Sequence, residues 1–187
     1  MLDELLHRVS NHTPRTLETD RRFPEAAVLV PITRSDEPEL VLTLRASGLS
    51  THGGEVAFPG GRRDPEDPDL IFTALREAEE EIGLPPGLVE VIGPLSPLIS
   101  LHGIKVTPYV GVIPDFVEYL ANDAEIAAVF SVPLEFFRKD PREHTHRIDY
   151  QGHSWYVPSY RYGEYKIWGL TAIMIVELIN LLYDAKI

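Results

Sequence analysis

The stretch REAEEEIGL, residues 76–84, decides the fold, because it joins a helix, a stop signal and four closely spaced carboxylates. It ends the segment Leu70–Ile82, whose apolar side chains recur at helical spacing and cluster on one side. Gly83 supplies a C-terminal stop, and the following pair of prolines prevents continuation. The spacing therefore predicts a helix over Leu70–Ile82.

The four glutamates of this helix do not all point the same way. At about 100° per residue, Glu77, Glu80 and Glu81 share one arc beside the apolar stripe, whereas Glu79 lies on the other side. Like charges crowded beside buried surface weaken a helix unless a cation neutralises them, and such hard oxygen ligands suit Mg²⁺ or Mn²⁺. The pattern indicates a divalent-metal site, with a solvated acidic helix face as the alternative.

A second signal lies upstream, in the sequence FPGG at residues 58–61. Its glycines allow the backbone to approach a ligand or metal closely. The Pro-Gly-Gly sequence also predicts a hard stop after a brief strand over Glu55–Phe58. The helix is thus expected between two loops.

Taken together, these residues resemble the Nudix box, Gly-x5-Glu-x7-Arg-Glu-U-x-Glu-Glu-x-Gly-U, where U is aliphatic or small. Residues 76–84 match every specified position. The first half departs, because Gly61 and Arg76 are one residue further apart than in the family and Asp67 stands about where the first glutamate belongs. The resemblance implies an α+β fold, a Nudix-type α/β/α sandwich with a mixed β-sheet, in a single domain over residues 1–187. The mixed order of strands and helices favours the same class.

Further stretches are similar to one Nudix subgroup, the coenzyme A pyrophosphatases. They comprise residues 42–47, residues 52–61, the expanded first half of the box and the sequence IWGLTA at 167–172. This similarity implies metal-dependent hydrolysis of coenzyme A or acyl-CoA to 3′,5′-ADP and 4′-phosphopantetheine or its acyl form. Hydrolysis of ADP-ribose or another nucleoside diphosphate derivative is the main alternative. A nucleotide-sensing module without turnover is the other, although such modules typically lose box glutamates that this chain retains.

The resemblance also implies roles for individual residues. Glu77, Glu80 and Glu81 would hold Mg²⁺ or Mn²⁺, with the carbonyl of Gly61 as a further ligand. Glu80 and Glu81 are the central catalytic candidates. Arg76 would pair with a box glutamate and fix its rotamer, which orients the ligand without touching substrate.

A carboxylate from outside the box often acts in this family as a ligand or general base. Glu125 is preferred for this role over Asp123, and an exposed glutamate at the start of a helix is the alternative interpretation of Glu125. For substrate phosphates, the candidates are Arg45, Arg63 and His52, with surface charge or loop capping as their alternatives. A metal site at His144 and His146 is only weakly supported by their spacing.

Composition excludes several other classes of protein. The 187 residues include 17 basic and 29 acidic ones and no cysteine, which gives a net charge of −12 and excludes disulfides and thiolate chemistry. Non-specific nucleic-acid or anionic-membrane binding favours the opposite charge. The charged N-terminus is no signal peptide, and the longest apolar run, Ile167–Val176, is shorter than the roughly 20 residues that span a bilayer. We expect a soluble cytoplasmic enzyme with a small-molecule substrate and no nucleic-acid or membrane partner, and a homodimer stays open.

The remaining elements follow from hydrophobic periodicity. We predict terminal helices over Met1–Ser10 and Thr171–Tyr183. The predicted strands are Ala26–Thr33 and Glu39–Arg45 as a hairpin, Leu88–Ser100, Lys105–Ile113, Val129–Val132, and a second hairpin of Arg147–Tyr150 with Trp155–Tyr160.

Overall fold

A computed structural model describes residues 2–17, 21–48, 53–150 and 153–187. Its helices are α1 (Leu2–Ser10), α2 (Leu70–Ile82), α3 (Leu134–Arg138) and α4 (Gly169–Tyr183), with a 3-10 turn at Pro86–Leu88. Its strands are β1 (Glu25–Arg34), β2 (Glu39–Arg45), β3 (Val56–Ala57), β4 (Gly60–Arg62), β5 (Glu90–Pro94), β6 (Leu98–Ile99), β7 (Lys105–Pro114), β8 (Ile126–Pro133), β9 (Arg142–Tyr150), β10 (His153–Tyr162) and β11 (Tyr165–Ile167). Among these residues, no helix is long and apolar enough to cross a membrane.

The larger sheet is mixed, as the sequence predicts. Its main path runs β3-β2-β1-β7-β5, with β4 paired to β1, β6 to β7 and β8 to β2. Strands β1 and β7 are parallel along their whole length, and the other pairs are antiparallel. The smaller sheet has the order β11-β10-β9 and contains the long β9–β10 hairpin.

Strand β1 is buried on both faces, which identifies the layers of the sandwich. Ala27 and Leu29 pack with α2 in one core, whereas Val30 and Ile32 pack with α1 and α4 in the other. Because successive side chains of a strand point to opposite faces, α2 covers one side of the sheet and α4 the other. The predicted α/β/α sandwich is confirmed.

Helix α2 has the predicted bounds, and its ends show why. Asp69 caps the N-terminus by accepting a hydrogen bond of 2.8 Å from the Phe72 amide. Gly83 ends the helix at φ 66°, in the left-handed region, and its amide donates to the carbonyls of Ala78 and Glu79. This helix therefore holds its glutamates at a fixed phase above the sheet.

Several predicted bounds are wrong. The predicted strand Leu88–Ser100 is instead two short strands, β5 and β6, separated at residues 95–97, where Pro97 has no amide hydrogen to donate to the ladder. Strand β8 begins at Ile126 rather than Val129, β9 at Arg142 rather than Arg147, and α4 at Gly169 rather than Thr171; α3 and β11 were not predicted. The predicted stop after Phe58 instead carries β4, whose backbone pairs with β1.

Candidate active site

The glycines of β4 allow its backbone to lie close to β1 on one side and to the Glu77 side chain on the other. Gly60 and Gly61 pair with Val28 and Ala27 of β1. A Cβ on Gly60 would lie 2.4 Å from the Ala27 carbonyl oxygen, and one on Gly61 would lie 2.5 Å from the Glu77 carboxyl carbon. The Glu77 carboxylate thus rests directly on the Gly61 backbone, in space that a side chain would fill.

Glu81 is the buried carboxylate of the site, with only 2% of its surface exposed. One oxygen accepts a 3.1 Å bond from the Gly60 amide, and the other accepts a 3.2 Å bond from the Arg45 guanidinium. Burial raises the pKa of Glu81 to about 7, and the carboxylates of Glu77 and Glu125 add to that shift. The interpretation of this helix face as solvated is therefore wrong at Glu81.

The other helix glutamates differ in solvent exposure: Glu77 is half-buried, whereas Glu79 and Glu80 are exposed. Burial raises the pKa of Glu77, although the Arg76 guanidinium opposes the shift. The side chain of Glu80 is 57% exposed, and Glu79 is exposed. Glu77 and Glu80 share Arg76 as a partner, which places them side by side as the helical wheel predicts.

Arg76 braces these glutamates from a fixed anchor. Its guanidinium donates to Glu77 at 3.0 Å and to Glu80 at 3.2 Å. It also donates to both carboxylate oxygens of Asp67, at 3.1 and 3.0 Å, and to the Arg62 carbonyl. The expected pairing of Arg76 with a box glutamate is thus present, and its contribution to catalysis stays a prediction.

Asp67, which the sequence places at the outer acidic position of the box, holds Arg76 in a way that sequence reasoning did not predict. It is buried, and besides Arg76 it accepts hydrogen bonds from the Thr73 hydroxyl at 2.8 Å and the Asp64 amide at 3.0 Å. The Arg76 bonds lower its pKa to about 2. Its place at the outer acidic position of the box was the available signal, but its use as an anchor for Arg76 depends on the loop's fold.

Glu125 lies beside the helix carboxylates, in the turn before β8. Its charge raises the pKa values of both Glu77 and Glu81. The Asn122 side chain donates to it at 3.2 Å, and the Asn122 amide donates to the Glu81 carbonyl. Glu125 is half-buried in a turn, so its interpretation as an exposed helix-start residue is wrong. Asp123 is exposed.

The predicted phosphate-binding residues have different placements. Arg45, at the end of β2, reaches Glu81 and so lies within the site. Arg63 instead pairs with Glu25 at 3.2 Å and donates to the carbonyls of Asp67 and Pro68, away from the helix glutamates. His52 lies outside the described residues, and substrate contact by any of the three stays a prediction.

We use the name carboxylate cluster for Glu77, Glu80, Glu81 and Glu125. Within the described ranges, no three His, Asp or Glu side chains already form a group that could hold a metal ion. Each of the three helix glutamates instead has one oxygen paired with a guanidinium group. Of the two histidines considered for a metal site, His146 contacts the Ser159 hydroxyl at 3.3 Å.

Comparison with known proteins gives the same helix a family context. A family model described as the NUDIX domain matches residues 23–151. Proteins described as uncharacterized Nudix hydrolase NudL are 44% identical in Enterobacter sp. (strain 638) and 45% identical in Cronobacter sakazakii. Each alignment covers 95% of this chain and 92% of the relative.

Solved structures show the same fold. A MutT/nudix family protein from Enterococcus faecalis aligns with a TM-score of 0.59 at 15% identity, over 98% of this chain and 70% of that one. The NUDIX domain of Shewanella oneidensis NrtR, complexed with ADP ribose, aligns with a TM-score of 0.51 at 19% identity, over 71% and 85%. A C. elegans Ap4A hydrolase in a binary complex gives 0.52 at 20% identity, over 61% and 83%.

The matched domain spans most of the chain and contains the whole carboxylate cluster, and the relatives align over nearly their full length. This chain therefore belongs to the Nudix hydrolase family.

Proposed function

We propose that this enzyme hydrolyses the pyrophosphate bond of coenzyme A or acyl-CoA, giving 3′,5′-ADP and 4′-phosphopantetheine or its acyl form. The observation that carries the hydrolytic part is the carboxylate cluster gathered over the glycine backbone of β4. Its substrate part rests on the stretches that are similar to coenzyme A pyrophosphatases. Mg²⁺ or Mn²⁺ is the proposed cofactor.

The residues present fit a divalent cation. Glu81 is a nearly inaccessible carboxylate that faces two others, an arrangement that is costly without a compensating positive charge. The Gly61 backbone lies against the Glu77 carboxylate, so its carbonyl is a credible neighbouring ligand. Glu77, Glu80, Glu81 and Gly61 would hold the metal, and Glu125 would act as ligand or general base. Only oxygen atoms are offered, which suits Mg²⁺ or Mn²⁺.

A bound divalent ion would screen the anionic diphosphate and lower the pKa of a bound water. The protein's contribution is to hold the ligands in place. Arg76, fixed by Asp67, keeps Glu77 and Glu80 in one orientation, and the Gly60 amide does so for Glu81. Glu125 is positioned by Asn122 to accept a proton at the edge of the cluster.

The substrate assignment gains support from the way two separate stretches meet. Thr171, within the sequence at 167–172, donates a 3.2 Å hydrogen bond to the Val56 carbonyl of β3. Strand β3 leads directly into the glycines of β4. Two of the stretches that are similar to the coenzyme A subgroup, residues 52–61 and 167–172, are therefore in contact with each other.

The test is a side-by-side kinetic comparison of coenzyme A, dephospho-coenzyme A and ADP-ribose under Mg²⁺. Recognition of the 3′-phosphate predicts that coenzyme A exceeds dephospho-coenzyme A in kcat/KM by roughly 10- to 100-fold, mainly through KM. Equal values for these two would exclude recognition of the 3′-phosphate. A clearly higher kcat/KM for ADP-ribose would make ADP-ribose, rather than coenzyme A, the proposed substrate.

A further inference from the structure

Two arginines lie among the carboxylate cluster, and they are held very differently. Arg76 is anchored from behind by Asp67 and the Arg62 carbonyl. Within the described residues, the Arg45 guanidinium has one hydrogen bond, to Glu81 at 3.2 Å, and its buried Nε has no partner. A buried donor without a partner is unfavourable, so this arrangement holds Arg45 weakly compared with Arg76.

Arg45 is the cation that directly contacts Glu81. The Glu81 side chain is inaccessible, while that of Arg45 is 23% exposed and so has a route toward solvent. The same Glu81 oxygens are the ligand atoms that would coordinate a divalent ion. Because like charges repel strongly at contact distance in a poorly solvated site, the guanidinium and a divalent ion cannot both occupy this position cheaply.

We propose that Arg45 is a built-in counter-cation, which holds Glu81 in the metal-free enzyme and is displaced when a divalent ion binds. This inference rests on the proposed metal-dependent function. The exchange makes metal binding weaker than the carboxylates alone would give, and so sets the metal concentration at which the enzyme becomes loaded.

The experiment is isothermal titration of Mg²⁺ into EDTA-treated, dialysed full-length protein at pH 8.5. It compares the wild type with Arg45→Gln and Arg34→Gln. The control removes the same charge at Arg34, the last residue of β1, which forms exposed ion pairs with Asp3 and Glu90. We expect Arg45→Gln to bind Mg²⁺ on the order of tenfold more tightly, because no charge-assisted hydrogen bond has to be broken. Arg34→Gln should match the wild type.

A second measurement keeps the inference testable if Arg45→Gln does not fold. In the wild type, the Nε–H resonance of Arg45, assigned by its loss in Arg45→Lys, should shift in step with Mg²⁺ saturation. Unchanged or weaker Mg²⁺ affinity in Arg45→Gln would overturn this inference but not the proposed function. An Arg45 resonance that does not shift when Mg²⁺ binds would do the same. Absence of Mg²⁺ and Mn²⁺ binding by the wild type would overturn the proposed function and the inference with it.

Discussion

At the scale of the residue, Glu81 is as buried as a core side chain, yet it carries two carboxylate oxygens of the kind that bind metal ions. Its two oxygens are held by the Gly60 amide and Arg45, and its pKa lies near 7 because its charge is poorly solvated. Such a group is costly when ionised, and a divalent ion would remove that cost. The burial of Glu81 and its proposed ligation of a metal would therefore both follow from the same position in α2.

Replacing this carboxylate separates activity from stability. Glu81→Gln should lower kcat at least 100-fold, because one ligand charge is lost. Its melting temperature without metal should stay level or rise, since a crowded buried charge is removed. Steady-state kinetics and thermal denaturation in EDTA measure the two effects. Glu79→Gln is the matched control on the exposed side and should stay within a few-fold of the wild type. Equal losses for the two variants would show that the assigned helix phase is wrong.

The raised pKa of Glu81 also predicts a pH dependence of stability. Between the ordinary value of 4.5 and about 7, the folded protein keeps a proton that the unfolded chain has lost. Stability of the metal-free protein should therefore fall as pH rises through this range. Melting temperatures of wild type and Glu81→Gln, measured in EDTA from pH 5 to 8, should diverge in favour of the variant as pH rises. A difference that is constant with pH would contradict the assigned pKa.

At the scale of the element, α2 acts together with the loop before it. Asp67 in that loop binds the Arg76 fork at two points, and Arg76 in turn binds Glu77 and Glu80. Loss of groups that orient ligands commonly costs 10- to 100-fold in activity or metal affinity. We therefore predict that the loop affects catalysis through the geometry of the helix.

Arg76→Lys tests this arrangement while keeping the charge. An ammonium group cannot span Asp67 and two glutamates as a planar fork does, so kcat should fall by about tenfold or more. Asp67→Asn removes the anchor itself, and should cost about 1.5–3 kcal/mol in the free energy of unfolding as well as activity. Kinetics and urea denaturation measure both. Wild-type activity in the lysine variant would reduce Arg76 to an ordinary surface charge.

The glycine under Glu77 gives a third test at this scale. Gly61→Ala places a Cβ 2.5 Å from the Glu77 carboxyl carbon, so the side chain must move. A displaced ligand of this kind should lower kcat on the order of tenfold to 100-fold. Gly87→Ala, where an added Cβ meets nothing within 4 Å, is the control and should keep full activity. Equal kinetics for the two alanine variants would exclude close packing of Glu77 on this backbone.

What could be predicted from the sequence depended on whether the signal was local. Helix α2 was predicted at both ends, because its periodicity and its Gly83 stop lie within it. Strand β4 was missed, since Gly60 and Gly61 pair through backbone alone and give no strand pattern. The glutamates could be identified from their spacing, whereas the Arg45–Glu81 contact requires β2 to lie beside α2, which no local pattern encodes.

At the scale of the whole molecule, the sandwich brings distant parts of the chain to one edge. The parallel pairing of β1 with β7 fixes the centre of the sheet, and β4 sits beside β1 under α2. Thr171, from the start of α4, contacts β3 from the other side of the sheet. The candidate site is thus assembled from segments between Arg45 and Glu125, within a chain whose net charge is −12. The proposed divalent cation would offset that charge where the proposed anionic substrate binds.

The most direct test of the central claim is a coenzyme A hydrolysis assay, with Mg²⁺ or Mn²⁺ and with EDTA, in which the products are identified by mass. We expect 3′,5′-ADP and 4′-phosphopantetheine in equal amounts with metal, and no turnover in EDTA. Intact coenzyme A after incubation with metal and folded enzyme would contradict the account. Equal turnover with metal and with EDTA would contradict it as well.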